Sequence, residues 1–161
     1  MKNILNKLIP EVTAQAHCDI PCGIYDPTPA KIAAKTVARM VDQIEALELP
    51  KDMDDKHAVL SYGHAFARRV TVKEHHAEMV KHELQILWSD FFKPEHTEKW
   101  PNLHGMFWNA LRLGSKNKQD IDKEAAAQLV VAVDEIAKVF YEAKGDPARF
   151  EAYKLITDKL Y

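Results

Sequence analysis

The segment His17-Cys18-Asp19-Ile20-Pro21-Cys22-Gly23-Ile24-Tyr25-Asp26-Pro27 holds both cysteines of the chain, with an imidazole directly before the first thiol. Two thiolates separated by three residues bind one metal ion when the chain between them bends back. Pro21 and Gly23 supply the stiffness and the freedom that such a bend needs. The bare C-x-x-x-C spacing also fits a disulfide, or two small apolar side chains with no chemistry, and by itself leaves these readings open.

The elements that must carry this segment read as helices. The chain has 161 residues, 47% hydrophobic and 29% charged, with only five glycines. That balance fits one globular domain with a real core, rich in helix-forming residues. A formal charge of −2 gives no basic field for nucleic acid or acidic membrane surfaces. No apolar run approaches the ~20 residues that span a bilayer. Asp26 and Pro27 predict a helix start, as cap and first helical residue. Ile32, Val37, Met40, Val41, Ile44 and Leu47 then recur with a 3.6-residue period, predicting a helix over about 27–47. A second helix is predicted from Asp54 to Phe92, with Gly63 as a point of interruption. A turn is expected between Pro94 and Pro101. The third helix is marked by Leu103, Phe107, Ala110 and Leu111, and Gly114 with the polar run Ser115–Asp120 reads as the next connection. Ala125, Leu129, Val133, Ile136, Phe140 and Ala143 predict a fourth helix, stopped by Gly145-Asp146-Pro147, and a short terminal helix is expected over about 147–160. Four single-striped helices hide their stripes by packing on one another, so the fold predicted is an all-α four-helix bundle with an irregular N-terminal hook.

Residues 1–16 fit neither pattern. Asn6 and Lys7 break up Ile4, Leu5, Leu8 and Ile9, so no secretory h-region exists, and the segment reads as a leader removed in the cytoplasm. The expected mature domain is 17–161, with the hook at 17–25.

The eleven-residue segment closely resembles the amino-terminal nickel hook of the nickel-containing superoxide dismutases, His-Cys-Asp-x-Pro-Cys-Gly-x-Tyr-Asp-Pro, and matches it at every fixed position. The likeness continues through Leu87-Trp88-Ser89-Asp90-Phe91-Phe92-Lys93-Pro94 and Leu103-His104. It implies a superoxide dismutase that cycles between Ni(II) and Ni(III), with one nickel ion per subunit. The implied metal ligands are His17, through its free amine and imidazole, Cys18, through its amide nitrogen and sulfur, and Cys22, through its sulfur. Cleavage before His17 by a maturation protease follows from that set, because a peptide nitrogen cannot act as an amine. Tyr25 is implied to gate the substrate pocket and Asp19 to hold the hook; Lys93 reads either as a guide for the superoxide anion or as an ordinary exposed lysine. The resemblance further implies a homohexamer, for whose contacts Trp88, Trp100, Phe107 and Trp108 are candidates, as they equally are for one subunit's core.

Three positions depart from the family pattern. Ala33 and His76 stand where a glutamate and an arginine steady the ligand imidazole, and Phe91 stands where a tyrosine supports the gating tyrosine. The competing reading is a helical metal-binding or thiol-redox protein that keeps residues 1–16 and uses Cys18 and Cys22 without the amine. No Glu-x-x-His sequence occurs, which argues against a di-iron bundle.

Overall fold

The computed structural model describes residues 23–161; its elements, among these residues, are six α-helices and one π-helical turn. These are α1 (Thr28–Glu45), α2 (Lys56–Ile86), the π turn (Leu87–Phe91), α3 (Pro94–Lys99), α4 (Leu103–Gln119), α5 (Lys123–Ala143) and α6 (Ala148–Thr157). α1, α2, α4 and α5 form the predicted bundle. α1 packs on α2 and α5, and α4 packs on the same two, so the four close into a ring around one core. Val37, Val41, Val80, Leu84, Leu129, Val133, Ile136 and Phe140 lie fully buried along its axis. Each side chain of that size removes about 1.5–3 kcal/mol worth of apolar surface from water.

The helix ends follow the sequence chemistry. Asp26 caps the first turn of α1, where its Oδ1 accepts the Thr28 N–H at 2.8 Å. Asp55 does the same for α2, accepting from the His57 and Ala58 amides at 2.9 and 3.1 Å. α5 ends at Gly145, whose φ of +75° suits glycine, and the Asp146 N–H returns to the Tyr141 carbonyl at 3.0 Å.

Three expectations need correction. Gly63 does not interrupt α2, which runs unbroken to Ile86. The stretch between Pro94 and Pro101 is not a bare turn but contains α3, with Pro94 at its first position. α4 continues through Gly114 to Gln119, so Ser115–Gln119 is helix and not connection. Gly114 is buried against α2, and a Cβ there would come within 2.9 Å of Lys81 Cγ. The glycine therefore serves close helix approach rather than a turn. Lys73 of α2, fully buried, then closes the helix end by donating to the carbonyls of Asn117 and Asp120, the latter at 2.6 Å. Those carbonyls are the orphan acceptors of the last turn, and burial lowers the Lys73 pKa against the raising charges of Glu74 and Asp120.

The aromatic residues expected at subunit contacts divide. Phe107 is core, Trp88 leans on it at 5.0 Å between centroids, and Trp108 is 62% exposed.

Candidate functional site

The chain enters the described region at Gly23, whose φ of +89° is the left-handed conformation that glycine adopts without strain. Two residues later Tyr25 is buried against the end of the bundle. Its ring meets Phe91 at 6.0 Å between centroids, and its carbonyl accepts from Lys144 Nζ at 3.4 Å. Asp26 fixes the next step. Beyond capping α1 it accepts the Tyr141 hydroxyl at 3.1 Å and lies 3.7 Å from the Arg149 guanidinium. Burial, then the charge and hydrogen bond of Asp26, push the Tyr141 pKa up to about 12.

Phe91 owes its position to the π turn. There the Phe92 N–H reaches the Leu87 carbonyl, five residues back, at 3.1 Å. The extra residue rotates the chain so that Phe92 is buried while Phe91 stays half-buried against Phe140, at 4.4 Å. α3 begins two residues after Phe92. Its His96 ring stacks on Phe91, 5.7 Å away and within 8° of parallel, and accepts the Lys93 N–H on Nδ1 at 2.9 Å.

These residues line one cleft of about 440 Å³, formed by Gly23, Tyr25, Asp90, Phe91, Lys93, Glu95, His96, Ala143 and Lys144. Its floor is aromatic, and its charged groups are two carboxylates and two ammonium groups, so no net charge favours one sign of ligand. Tyr25 and Lys93, predicted from sequence, meet here. His17, Cys18, Asp19 and Cys22 lie outside the described residues. Ala33 is buried in α1. His76 is turned to its own helix, with Nδ1–H donating to the Val72 carbonyl at 2.8 Å. Phe91 touches Tyr25 by its ring but brings no hydroxyl. His96 and Lys144 line the same cleft and are not among the candidates read from sequence. The signal was there in the position of His96, three residues past Lys93 at the start of a proline-initiated helix.

Among the described residues no group of three or more His, Cys, Asp or Glu side chains comes together to hold a metal ion. The sequence before Gly23 holds one imidazole and two thiols, a donor set whose chemistry fits a transition ion.

A second polar assembly lies where α6 crosses α1 and α5. Asp134 accepts from Lys31 Nζ at 2.6 Å, from the Tyr153 hydroxyl at 3.0 Å and from Lys154 Nζ at 2.7 Å. Lys31 is fully buried and reaches Asp158 at 3.3 Å. Burial and Asp134 together raise the Tyr153 pKa far above the ordinary phenol range. The Lys154 hydrogen bond, opposed by burial, holds Asp158 below the usual carboxylate range.

A family profile described as nickel-containing superoxide dismutase matches residues 12–144. The chain is 38% identical over 136 residues to the superoxide dismutase [Ni] of Streptomyces coelicolor, spanning 84% of this chain and 93% of that protein. To the enzyme of the same name from Streptomyces seoulensis it is 36% identical over 135 residues. Its fold superposes on the native nickel superoxide dismutase structure with a TM-score of 0.67 at 35% identity, covering 80% of this chain and 99% of the other. A structure of the nickel enzyme with ligation of the oxidised state gives 0.65 at 36% identity, with the same coverage. α6 lies beyond the residues that the family profile matches.

Proposed function

The chain belongs to the nickel-containing superoxide dismutase family, and from that premise we propose that its working form begins at His17 and disproportionates superoxide at the cleft beside Tyr25. Membership makes it an oxidoreductase that uses nickel and acts on superoxide. The finer assignments are ours: one nickel ion per subunit, held by His17, Cys18 and Cys22, with Asp19 holding the hook and Tyr25 closing the substrate cleft. One observation carries the reading. The motif runs directly into the Gly23 turn, and that turn delivers Tyr25 to the wall of the cleft.

When bound, nickel supplies a one-electron couple that accepts from one superoxide and gives to the next. The chain's own residues do the rest. Release of residues 1–16 frees the His17 amine, whose ordinary pKa near ~8 makes it an accessible metal donor at neutral pH. Tyr25 lines the cleft with its ring against Phe91, and in this reading its hydroxyl hydrogen-bonds the small oxygen anion. Lys93, exposed at the rim, adds attraction for that anion. Assembly as a cytoplasmic homohexamer, after cleavage by a maturation protease, completes the proposal. The exposed Leu60 and Trp108 are surfaces for such contacts, and no described helix is long and apolar enough to cross a membrane.

The test is intact mass and metal analysis set against activity. Protein that begins at His17 should carry about one nickel per chain and dismutate superoxide. Protein retaining residues 1–16 should do neither, even with excess nickel. Full activity from verified uncleaved chain, or a native chain carrying zinc or a Cys18–Cys22 disulfide in place of nickel, would refute the proposal.

A further inference from the structure

Dismutation brings a small anion into a cleft whose lining charges cancel, so binding and orientation depend on directional donors. In one superoxide an electron is lost and dioxygen leaves; the other takes that electron and two protons and leaves as hydrogen peroxide. Tyr25 offers one hydroxyl. The position beside it, a tyrosine by family resemblance, is Phe91 and offers none. We propose that the Nε2–H of His96 is the second directional donor of this cleft, hydrogen-bonding the bound oxygen anion in place of the hydroxyl that Phe91 lacks. The inference rests on the dismutase reading and adds a binding residue to it.

Three features of His96 carry the assignment. Its ring lines the cleft together with Tyr25, Phe91 and Lys93. Nδ1 is occupied as an acceptor by the Lys93 N–H, which places the proton of the neutral ring on Nε2, and Nε2 bonds no described residue. The ring plane is held by parallel stacking on Phe91 and edge contact with Phe92 at 5.6 Å, so the donor points one way without further ordering. Capping α3 does not by itself explain an imidazole. Reciprocal capping at this third helical position is ordinarily done by glutamine or glutamate. The histidine adds a flat face for Phe91 and a donor on the far side of the ring.

Those same capping residues supply the test. His96→Gln keeps an acceptor for the Lys93 amide and an N–H donor; His96→Glu keeps the acceptor and removes the donor. Thr97→Glu places an equal charge one residue along and controls for repulsion. On nickel-loaded mature protein, azide serves as the small-anion probe, and steady-state superoxide turnover separates KM from kcat. His96→Gln should stay within about twofold of the parent in azide affinity and KM. His96→Glu should weaken both by about tenfold or more relative to Thr97→Glu, the scale of a lost hydrogen bond to a charged group. In ¹⁵N NMR of the parent, the His96 Nε2–H signal should shift on azide addition. If His96→Glu and Thr97→Glu behave alike, or azide leaves that signal unmoved, the assignment is wrong. A parent that binds no nickel and lacks activity would overturn the dismutase reading and, with it, this assignment. Equal thermal midpoints for the His96 variants and parent show that the cap survives; if His96→Glu loses the fold, the NMR shift and the His96→Gln kinetics decide.

Discussion

Two places where polar groups meet aromatic rings are finished differently. At the Lys31–Asp134–Tyr153–Lys154 cluster every strong donor is answered: Asp134 accepts from three side chains, and the buried Lys31 ammonium spans two carboxylates. At the Tyr25 cleft the rings are just as closely packed, yet the Lys93 ammonium has no ion-pair partner among the described residues and His96 leaves a nitrogen over. Full satisfaction rigidifies, because an unpaired charge in a dry site costs several kcal/mol. Unspent donors at the rim of an aromatic floor are the condition for binding something from solution. The cluster is built for stability and the cleft for chemistry, so mutations at the two should separate the two properties.

The largest effect should come from the cleft side. Cys18→Ser or Cys22→Ser exchanges a thiolate for a hydroxyl that stays protonated near neutral pH and binds a soft ion poorly. Nickel content and dismutase activity should fall below detection in either variant. The thermal midpoint of the bundle should stay within about a degree, since the core described above is assembled from residues after the hook. Retention of parent-like nickel and activity in either variant would break the proposed ligand set and, with it, the contrast between the two regions.

The cluster should respond in the opposite sense. Asp134→Ala strands the Lys31 ammonium, fully buried in α1, with only the half-exposed Asp158 at 3.3 Å. Unfolding free energy should drop by on the order of 3 kcal/mol, read from the urea midpoint, with activity per nickel nearly unchanged. The double variant Lys31→Met, Asp134→Leu should recover most of the loss, because it removes the stranded charge along with its partner. If Asp134→Ala were as stable as the parent, the cluster would not be the closed structural device described here.

How far each region was legible in the sequence follows from the range of the signal that encodes it. The bundle was legible because 3.6-residue apolar spacing is local; the hook motif stands out because its residues are consecutive, but those before Gly23 lie outside the described residues. The cluster joins Lys31, Asp134 and Tyr153 from three different helices, and nothing in the spacing of the first two, or in the apolar pattern around Tyr153, pairs them. Only the packing of α6 on the seam of α1 and α5 reveals them as partners. The cleft was half legible. Tyr25 and Lys93 came from the motif resemblance, whereas His96 and Lys144 depend on the π turn and the end of α5. Gly114 misled for a related reason: a glycine for close helix approach and a glycine for a turn look the same until the neighbouring helix is in place.

The smallest effect, and the finest test of the contrast, lies on Tyr141, which touches both regions. Its hydroxyl bonds Asp26 at the exit of the hook, and its ring leans on Tyr153 of the cluster at 5.8 Å. Folding holds its phenol protonated: its pKa stands at about 12, through burial first and the Asp26 charge second. Unfolded, a tyrosine loses its proton near pH ~10. A group whose folded pKa is raised contributes stability in full below the unfolded value and loses it as pH climbs toward the folded one. Stability should therefore decline from about pH 10 to about 12 as Tyr141 and Tyr153, raised further still, keep protons that the unfolded chain has released. Tyr141→Phe should remove part of that alkaline slope and Tyr153→Phe another part, measured as urea midpoints across this window. Only Tyr141→Phe should also quicken amide exchange at Gly23–Asp26, because Tyr141, unlike Tyr153, bonds that segment through Asp26. Equal exchange in the two variants would mean that the exit of the hook keeps its order without the Tyr141 hydroxyl, through the Lys144 bond to Tyr25, the Phe91 contact and the Asp26 bond to Thr28.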